Sequence, residues 1–181
     1  MIKKILLILV VLIAAFAVFV SLQPSTFRIE RSVSIVAPPD VVFGLVNDFH
    51  QWQAWSPWAK LDPNAKNSFE GPESGTGAVF KWAGNAEVGE GSMTLTDSQP
   101  HQKISIRLDF VKPFEDTSIA EFTFKPDGNQ TVVTWSMFGE NNFISKAFCL
   151  FMDMDKMVGG QFEQGLAAMK AAAEAQVLPA K

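Results

Sequence analysis

Five segments between Ser74 and Gly139 alternate apolar and polar side chains, and this run constrains the fold more than any other feature of the chain. The segments read GAVFKWAG, VGEGSMTLTD, KISIRLDFV, SIAEFTFKP and QTVVTWSMFG, with turn-forming residues between them. A period of two is typical of strands with one buried face, and short turns join antiparallel neighbours. The pattern therefore predicts an antiparallel meander.

Two elements are predicted before the meander. The segment FRIERSVSI alternates and predicts a first strand, although Arg31 falls on its apolar side. The segment APPDVVFGLV predicts a short helix that starts at the proline pair. The segment NDFHQWQAW should continue helically as far as Pro57, which disfavours helix at the residue before it.

The C-terminal part predicts one long helix or a broken pair of helices from about Phe143 to Gln176. Apolar residues recur there every three or four positions and form one stripe. Gly159 and Gly160 interrupt the stripe and predict a bend or a close approach to the sheet. Cys149 is the only cysteine, so no intrachain disulfide can form, and its surroundings FCLFM predict a buried helix face.

The N-terminus is a separate apolar unit. The run from Ile5 to Leu22 would span about 27 Å as a helix, close to the ~30 Å of a bilayer core. Lys3 and Lys4 precede it, so the positive-inside bias places the start of the chain in the cytoplasm and the rest outside, facing the periplasm in a Gram-negative cell. We predict an uncleaved anchor over residues 1–22; a signal peptide cleaved after its AFA segment is the alternative.

The remaining chain is predicted as one domain. Residues 23–26 form a short linker, residues 27–176 the domain and residues 177–181 a tail. At ~3.3 Å per residue the linker reaches only ~13 Å, so the domain should lie close to the membrane. The 181 residues include 15 basic and 19 acidic ones. This balance argues against nucleic acid as a partner and against electrostatic docking on anionic lipid.

Several stretches together carry a resemblance to a known group of proteins. They are RSVSIVAPPDVVFGLVNDFHQWQAWSPW, GTGAVFKWAGNAEVGEGSMTLT, LDFVKPFE, TVVTWSMFG and FMDMDKMVGGQFEQGL. In this order they resemble the START-like, polyketide cyclase-related (SRPBCC) superfamily, and most of all its membrane-anchored bacterial members. The resemblance covers about residues 27–176 and is most specific in the first stretch, which ends in W-x-x-W-x-x-W.

This resemblance implies an α+β helix-grip fold, in which a curved antiparallel sheet wraps around a long C-terminal helix. It also implies a deep apolar cavity between sheet and helix, which members use for lipids, sterols, polyketides or chaperone contacts. The tryptophan segment would lie near the rim of that cavity or at the membrane interface. The resemblance does not imply one reaction.

The residues predicted to bind a ligand in this cavity are apolar or aromatic. Strand parity and helical spacing place several of them on inward faces, and the resemblance places the first three near the rim. Ordinary core packing is the alternative, because a core and a cavity lining have the same pattern. The predicted ligand-binding residues are Trp52, Trp55, Trp58, Phe80, Trp82, Phe110, Phe122, Trp135, Met137, Phe162 and Leu166.

The chain offers few groups for catalysis. His50 adjoins the tryptophans and is the better candidate for acid–base work, with a surface or capping role as the alternative; His101 falls in a predicted turn. Asp153 and Asp155 lie two apart on a helix and do not face one another. No His, Cys and Asp cluster has metal-ligand spacing. We assign no catalytic residue, no metal site and no cofactor.

Three functions are therefore compatible with the sequence. The first is a membrane-anchored binding module for a lipid-like or polycyclic apolar molecule. The second is an enzyme of the polyketide cyclase type that acts on an apolar substrate. The third is an interaction module that docks a protein partner through its tryptophan-rich rim.

Overall fold

The computed structural model describes residues 2–177; Met1 and the last four residues of the predicted tail lie outside the described part. An N-terminal helix is followed by a strand, three short helical pieces, six strands and two helices. In chain order the elements are α1 (Ile2–Ser21), β1 (Thr26–Ile35), α2 (Pro39–Asn47), two 3₁₀ helices (Phe49–Ala54 and Pro57–Lys60), β2 (Lys66–Glu70), β3 (Val79–Ala83), β4 (Glu90–Gln99), β5 (Lys103–Lys112), β6 (Asp116–Asp127), β7 (Gln130–Glu140), α3 (Phe143–Cys149) and α4 (Met154–Val177).

The seven strands form one curved antiparallel sheet in the order β1-β7-β6-β5-β4-β3-β2. The predicted meander and first strand are confirmed. The edge strand β2 is not predicted, since all five of its residues are exposed and no apolar alternation marks it. The expected helix before Pro57 is instead a 3₁₀ helix, capped by the Asp48 side chain, which accepts from the His50 N–H.

The long helix α4 covers the inner face of the sheet, as the helix-grip fold requires. The C-terminal helical region is a broken pair, but the break lies between Cys149 and Met154 and not at the glycine pair. Gly165 allows a close approach: a Cβ there would lie 2.9 Å from Cζ3 of Trp135 and 3.0 Å from Cδ of Pro57.

The contacts of Arg31 with α4 account for its place on the apolar side of β1. Its guanidinium lies against Gly159, and its Nη2 donates to Oδ2 of Asp155 at 2.9 Å while its Nε donates to Oε1 of Glu163 at 2.7 Å. Both carboxylates belong to α4, so the arginine ties the helix to the first strand. These hydrogen bonds raise the pKa of Arg31 and lower the pKa of Asp155.

The helix α1 is long and apolar enough to cross a membrane by length and composition. Its last turn packs on α3, where Val20 is buried. Cys149, at the end of α3, is exposed, so the prediction of a buried helix face for it is wrong. The reason is that the helix breaks after this residue, and the apolar side chains of α3 are left uncovered by the sheet.

Candidate functional site

The candidate site is the interior between the sheet and α4, and Trp135 of β7 lies at its centre. The indole of Trp135 stacks on Phe162 of α4, with ring centroids 4.1 Å apart and planes at 11°. On its strand neighbour β6, Phe122 stacks against it at 4.9 Å. Trp58 meets both Trp135 and Phe162 edge-on. Four of the predicted lining residues are thus brought together in one group of rings.

Trp52 of the first 3₁₀ helix and Trp55, which directly follows that helix, complete this group of rings, and both are buried. The Nε1–H of Trp52 donates to the carbonyl of Val46 at 3.0 Å, and that of Trp55 donates to the carbonyl of Leu45 at 2.9 Å. Both acceptors belong to the last turn of α2, so the two tryptophans hold the 3₁₀ helix against α2. The expected position at the membrane interface is wrong for these two residues, since they are buried and their rings pack inward on Trp135. That they line the rim of a cavity stays a prediction.

A second group of rings lies on the inner face of β3 and β5. Phe80 stacks with Trp82 at 6.1 Å, and Trp82 meets Phe110 edge-on at 6.0 Å. Phe49 contacts both Phe80 and Trp52 and so joins the two groups. Phe49 is not among the predicted lining residues, although its spacing of three residues from Trp52 places the two on one helical face.

The last two predicted lining residues also face the interior. Leu166 of α4 is buried, and Met137 of β7 is half-buried and packs against the core. All eleven predicted residues therefore point to the space between the sheet and the helices. Whether they bind a ligand remains a prediction.

Trp135 has one property that the other two buried tryptophans lack. Its side chain is 2% exposed, and its Nε1 is the buried side-chain polar atom with no hydrogen-bond partner among the described residues. The buried Trp52 and Trp55 and the half-buried Trp82 each donate to a backbone carbonyl. Buried donors are nearly always paired, so an unpaired one inside a candidate site points to an acceptor supplied from outside the chain.

On two strands, β5 and β7, coverage of the inner face falls toward one end of the sheet. On β5, Ile104 and Ile106 are fully buried, whereas Leu108 and Phe110 are half-buried. On β7, Trp135 is buried and Met137, two residues further on, is half-buried. This end of the sheet is the one at which β1 begins and β7 finishes. On β5 and β7 the inner face is therefore less covered on the side from which α1 extends, whereas Ser118 of β6, at the same end, is buried.

Two surface hollows formed by residues 2–177 lie elsewhere. One, of about 410 Å³, is lined mostly by polar residues around α2 and includes Asp40, Asp48 and Glu73. The other, of about 470 Å³, surrounds the connection between α3 and α4. Neither lies between the sheet and α4, where the protein's own rings fill the space.

The candidate titratable residues lie outside this interior. The Nδ1 of His50 is 2.8 Å from Oδ1 of Asp48, and its ring stacks on Phe69 at the exposed edge of the sheet. His101 is exposed in the turn between β4 and β5. In the part of the chain that the structure describes, no three His, Cys, Asp or Glu side chains are grouped to hold a metal ion. The geometry gives no support to acid–base work by these histidines on a ligand in the interior.

The two aspartates of FMDMDKM have separate structural roles. Asp153 caps α4, where its Oδ1 accepts from the N–H of Lys156 at 3.1 Å, and this bond lowers the pKa of Asp153. Asp155 binds Arg31. They do not form a carboxylate pair.

A sequence comparison with known families identifies the group to which the protein belongs. Residues 26–174 match the family described as polyketide cyclase / dehydrase and lipid transport. The chain belongs to this family. The resemblance to the SRPBCC superfamily is thereby confirmed, and family membership covers the sheet, α2, α3 and nearly all of α4. Among curated proteins, no sequence match was found.

Solved structures of other proteins have a similar fold. Protein CV1439 from Chromobacterium violaceum superposes with a TM-score of 0.56 at 16% identity, over 84% of this chain and 99% of its own. The Aha1 dimer from Colwellia psychrerythraea gives 0.58 at 16% identity, over 82% and 96%. The di-domain ARO/CYC StfQ from the steffimycin biosynthetic pathway gives 0.60 at 11% identity, over 84% and 52%. At these identities the likeness establishes the helix-grip fold alone.

Proposed function

We propose that this protein binds a lipid-like or polycyclic apolar molecule between the sheet and α4, without chemical turnover, while α1 anchors it in a membrane. The family description joins lipid transport with polyketide cyclases and dehydrases, which supports this class of ligand. The wall of the interior is almost entirely apolar, and such a wall attracts a ligand in proportion to the apolar area removed from water.

The observation that carries the proposal is the unpaired Nε1–H of Trp135. A buried donor without an acceptor costs about 1–3 kcal/mol, and a ligand oxygen beside the indole would remove that cost. We therefore expect a ligand that combines an apolar body with a carbonyl or hydroxyl oxygen. The rest of the wall would contact its hydrocarbon part.

The half-buried residues Leu108, Phe110 and Met137 offer the route to this position. They form the less covered end of the inner face, and a ligand that enters over them would reach the Trp135–Phe162 stack from the side. The stack must then open, since its rings fill the space that the ligand would take. Binding is thus expected to move Phe162, and α4 with it, relative to the sheet.

The membrane placement is part of the same proposal. We place α1 across the bilayer with Lys3 and Lys4 in the cytoplasm and the domain on the extracytoplasmic side, because basic residues flank the cytoplasmic end of a span. With α1 at this end of the sheet, the less covered side of the interior faces the bilayer, from which an apolar ligand can pass without crossing water.

Native mass spectrometry with organic extraction tests the proposal on the full chain, released from its own membranes in polymer-bounded nanodiscs so that no detergent competes. We expect the wild-type protein to retain an oxygen-bearing apolar molecule that is enriched over bulk lipid. Trp135→Phe should lose it, while the control Trp55→Phe, which also removes an interior indole, should retain it. No enriched molecule, or equal retention by all three proteins, would contradict the proposal.

A further inference from the structure

A set of exposed apolar side chains lies at the end of the domain from which α1 extends. The strand register defines this end: Thr26 pairs with Glu140 and Lys112 pairs with Glu90. The start of β1, the end of β7, the turn between β5 and β6 and the start of β4 therefore lie at the same end of the strands. We call the exposed apolar residues at this end of the sheet and in the α3 region the anchor-end patch; they are Val111, Phe114, Phe143, Ile144, Phe148 and Phe151.

The patch is strongly exposed. Phe114 in the β5–β6 turn is 68% exposed, Ile144 in α3 is 69% exposed and Phe151 after α3 is 79% exposed. Large apolar side chains that are exposed at one end of a domain are candidates for an interaction site. The aromatic residues of the patch are all phenylalanines, whose rings carry no polar group that would favour water.

The position of the patch relative to α1 is fixed by hydrogen bonds. The N–H of Asn141 donates to the carbonyl of Ser25 at 2.8 Å, and its side chain donates to the carbonyl of Pro24 at 3.5 Å. Nζ of Lys146 in α3 donates to the carbonyl of Ser21, the last residue of α1, at 3.4 Å. The linker is thus fastened to the β7–α3 junction, and α3 is fastened to α1.

We infer that the anchor-end patch inserts into the headgroup region of the bilayer that α1 crosses, so that the domain lies on the membrane surface in one orientation. This inference rests on the proposed membrane span of α1. The occupant follows from continuity, because an apolar helix and an apolar patch fixed at the same end of a domain meet the same bilayer.

The charges at this end indicate the kind of lipid surface. Carboxylates outnumber lysines there, so attraction to anionic headgroups does not drive the contact, and neutral phosphatidylcholine is a sufficient partner. The charged residues are Glu90, Glu115, Asp116, Glu140 and Asp153 against Lys112, Lys146 and Lys156. The contact is therefore expected to be insensitive to salt.

The test uses the full chain in phosphatidylcholine nanodiscs and a bimane fluorophore on Cys149, which is exposed at the end of α3. In a Cys149→Ser background, Glu115→Cys labels the β5–β6 turn, Asn129→Cys labels the opposite end of the sheet and Ile13→Cys labels the middle of α1. Lipids with a doxyl quencher near the headgroup or near the chain end report depth, and iodide reports exposure to water.

We expect the labels at positions 149 and 115 to lose most of their fluorescence to the shallow quencher, the label at 13 to the deep quencher and the label at 129 to iodide only. Phe114→Ser with Phe151→Ser should reduce the shallow quenching at 149 and leave the deep quenching at 13 unchanged. If 13 is quenched while 149 and 115 respond only to iodide, the patch faces water and the inference is wrong, although the span stands.

Two further outcomes are distinguishable. If the label at position 13 is not quenched by either lipid, α1 does not span the bilayer, and the proposed anchoring fails together with this inference. If the labels at 149 and 115 are shielded from both iodide and the doxyl lipids, a protein or a second copy of the chain covers the patch, which also overturns the inference.

Discussion

The indole ring of Trp135 lies flat against the phenyl ring of Phe162, and this stack joins the middle of the sheet to the C-terminal helix. The contact has two consequences. It fills the position at which we propose that a ligand binds, and the indole N–H has no acceptor among the described residues. The interior is therefore closed by rings that pack well, while the buried Nε1 of Trp135 has no acceptor within residues 2–177.

The approach of α4 to Trp135 depends on Gly165. We expect Gly165→Ala to lower the free energy of unfolding by about 1–3 kcal/mol, because its Cβ would lie 2.9 Å from the Trp135 ring and force the helix outward. Gly160→Ala is the matched control in the same helix, since a Cβ there meets nothing within 4 Å. It should raise the free energy of unfolding by up to about 1 kcal/mol through helix propensity. Urea denaturation of both variants measures the difference, and equal effects would contradict the close packing.

The buried tryptophans should respond differently to loss of the indole nitrogen. Trp55→Phe removes a hydrogen bond to the carbonyl of Leu45, whereas Trp135→Phe removes an unpaired donor and a similar ring volume. We expect Trp55→Phe to be the more destabilising of the two by about 1–3 kcal/mol. Denaturation curves of the two variants, measured after ligand extraction, decide this; a larger cost for Trp135→Phe would mean that its N–H is paired in the extracted protein.

The bond between Arg31 and Asp155 predicts a pH dependence of stability. Hydrogen bonds from Arg31 lower the pKa of Asp155 below its ordinary value of 3.8. A lowered folded-state pKa gives a contribution that is complete above pH 3.8 and is lost as the pH falls through the lower value. We therefore expect Asp155→Asn to destabilise the protein at neutral pH and to have a smaller effect in strong acid. The control is Asp127→Asn, which removes an exposed carboxylate at the end of β6. If the effect of Asp155→Asn on the free energy of unfolding is the same at neutral pH and in strong acid, the assignment is contradicted.

Much of the fold follows from local patterns. The alternation of five segments and the recurrence of apolar residues in the C-terminal helix predict the sheet and its cover, because each pattern has only one surface to bury against. The strand β2 escapes prediction since it is exposed at the sheet edge and carries no apolar face. A broken pair of helices is one of the two predicted arrangements, but the position of the break is not predicted, because the apolar stripe continues through residues 150–153 although the helix does not.

The sequence predicts which residues face the candidate site, but not how closely their side chains pack there. Strand parity identifies Phe122 and Trp135 as inward-facing, and helical spacing does the same for Phe162. Neither pattern tells whether the rings meet each other or leave a space between them. The positions of Trp52 and Trp55 depend on hydrogen bonds to the end of α2, a tertiary contact that spacing alone does not encode. For the same reason, the unpaired nitrogen of Trp135 becomes visible only once all its neighbours are placed.

The most direct test of the central claim is the indole N–H signal of Trp135 in a proton–nitrogen correlation spectrum of the full chain, assigned by its loss in Trp135→Phe. Fluorenone, a flat apolar ketone with one acceptor oxygen, serves as the probe, and fluorene, which lacks the oxygen, serves as the control. We predict that fluorenone moves the Trp135 signal downfield, as a newly bonded N–H requires, and that fluorene does not. The signals of Trp52 and Trp55 should keep the positions set by their carbonyl partners. A Trp135 signal that is unchanged at saturating fluorenone, or that responds equally to fluorene, would contradict the account.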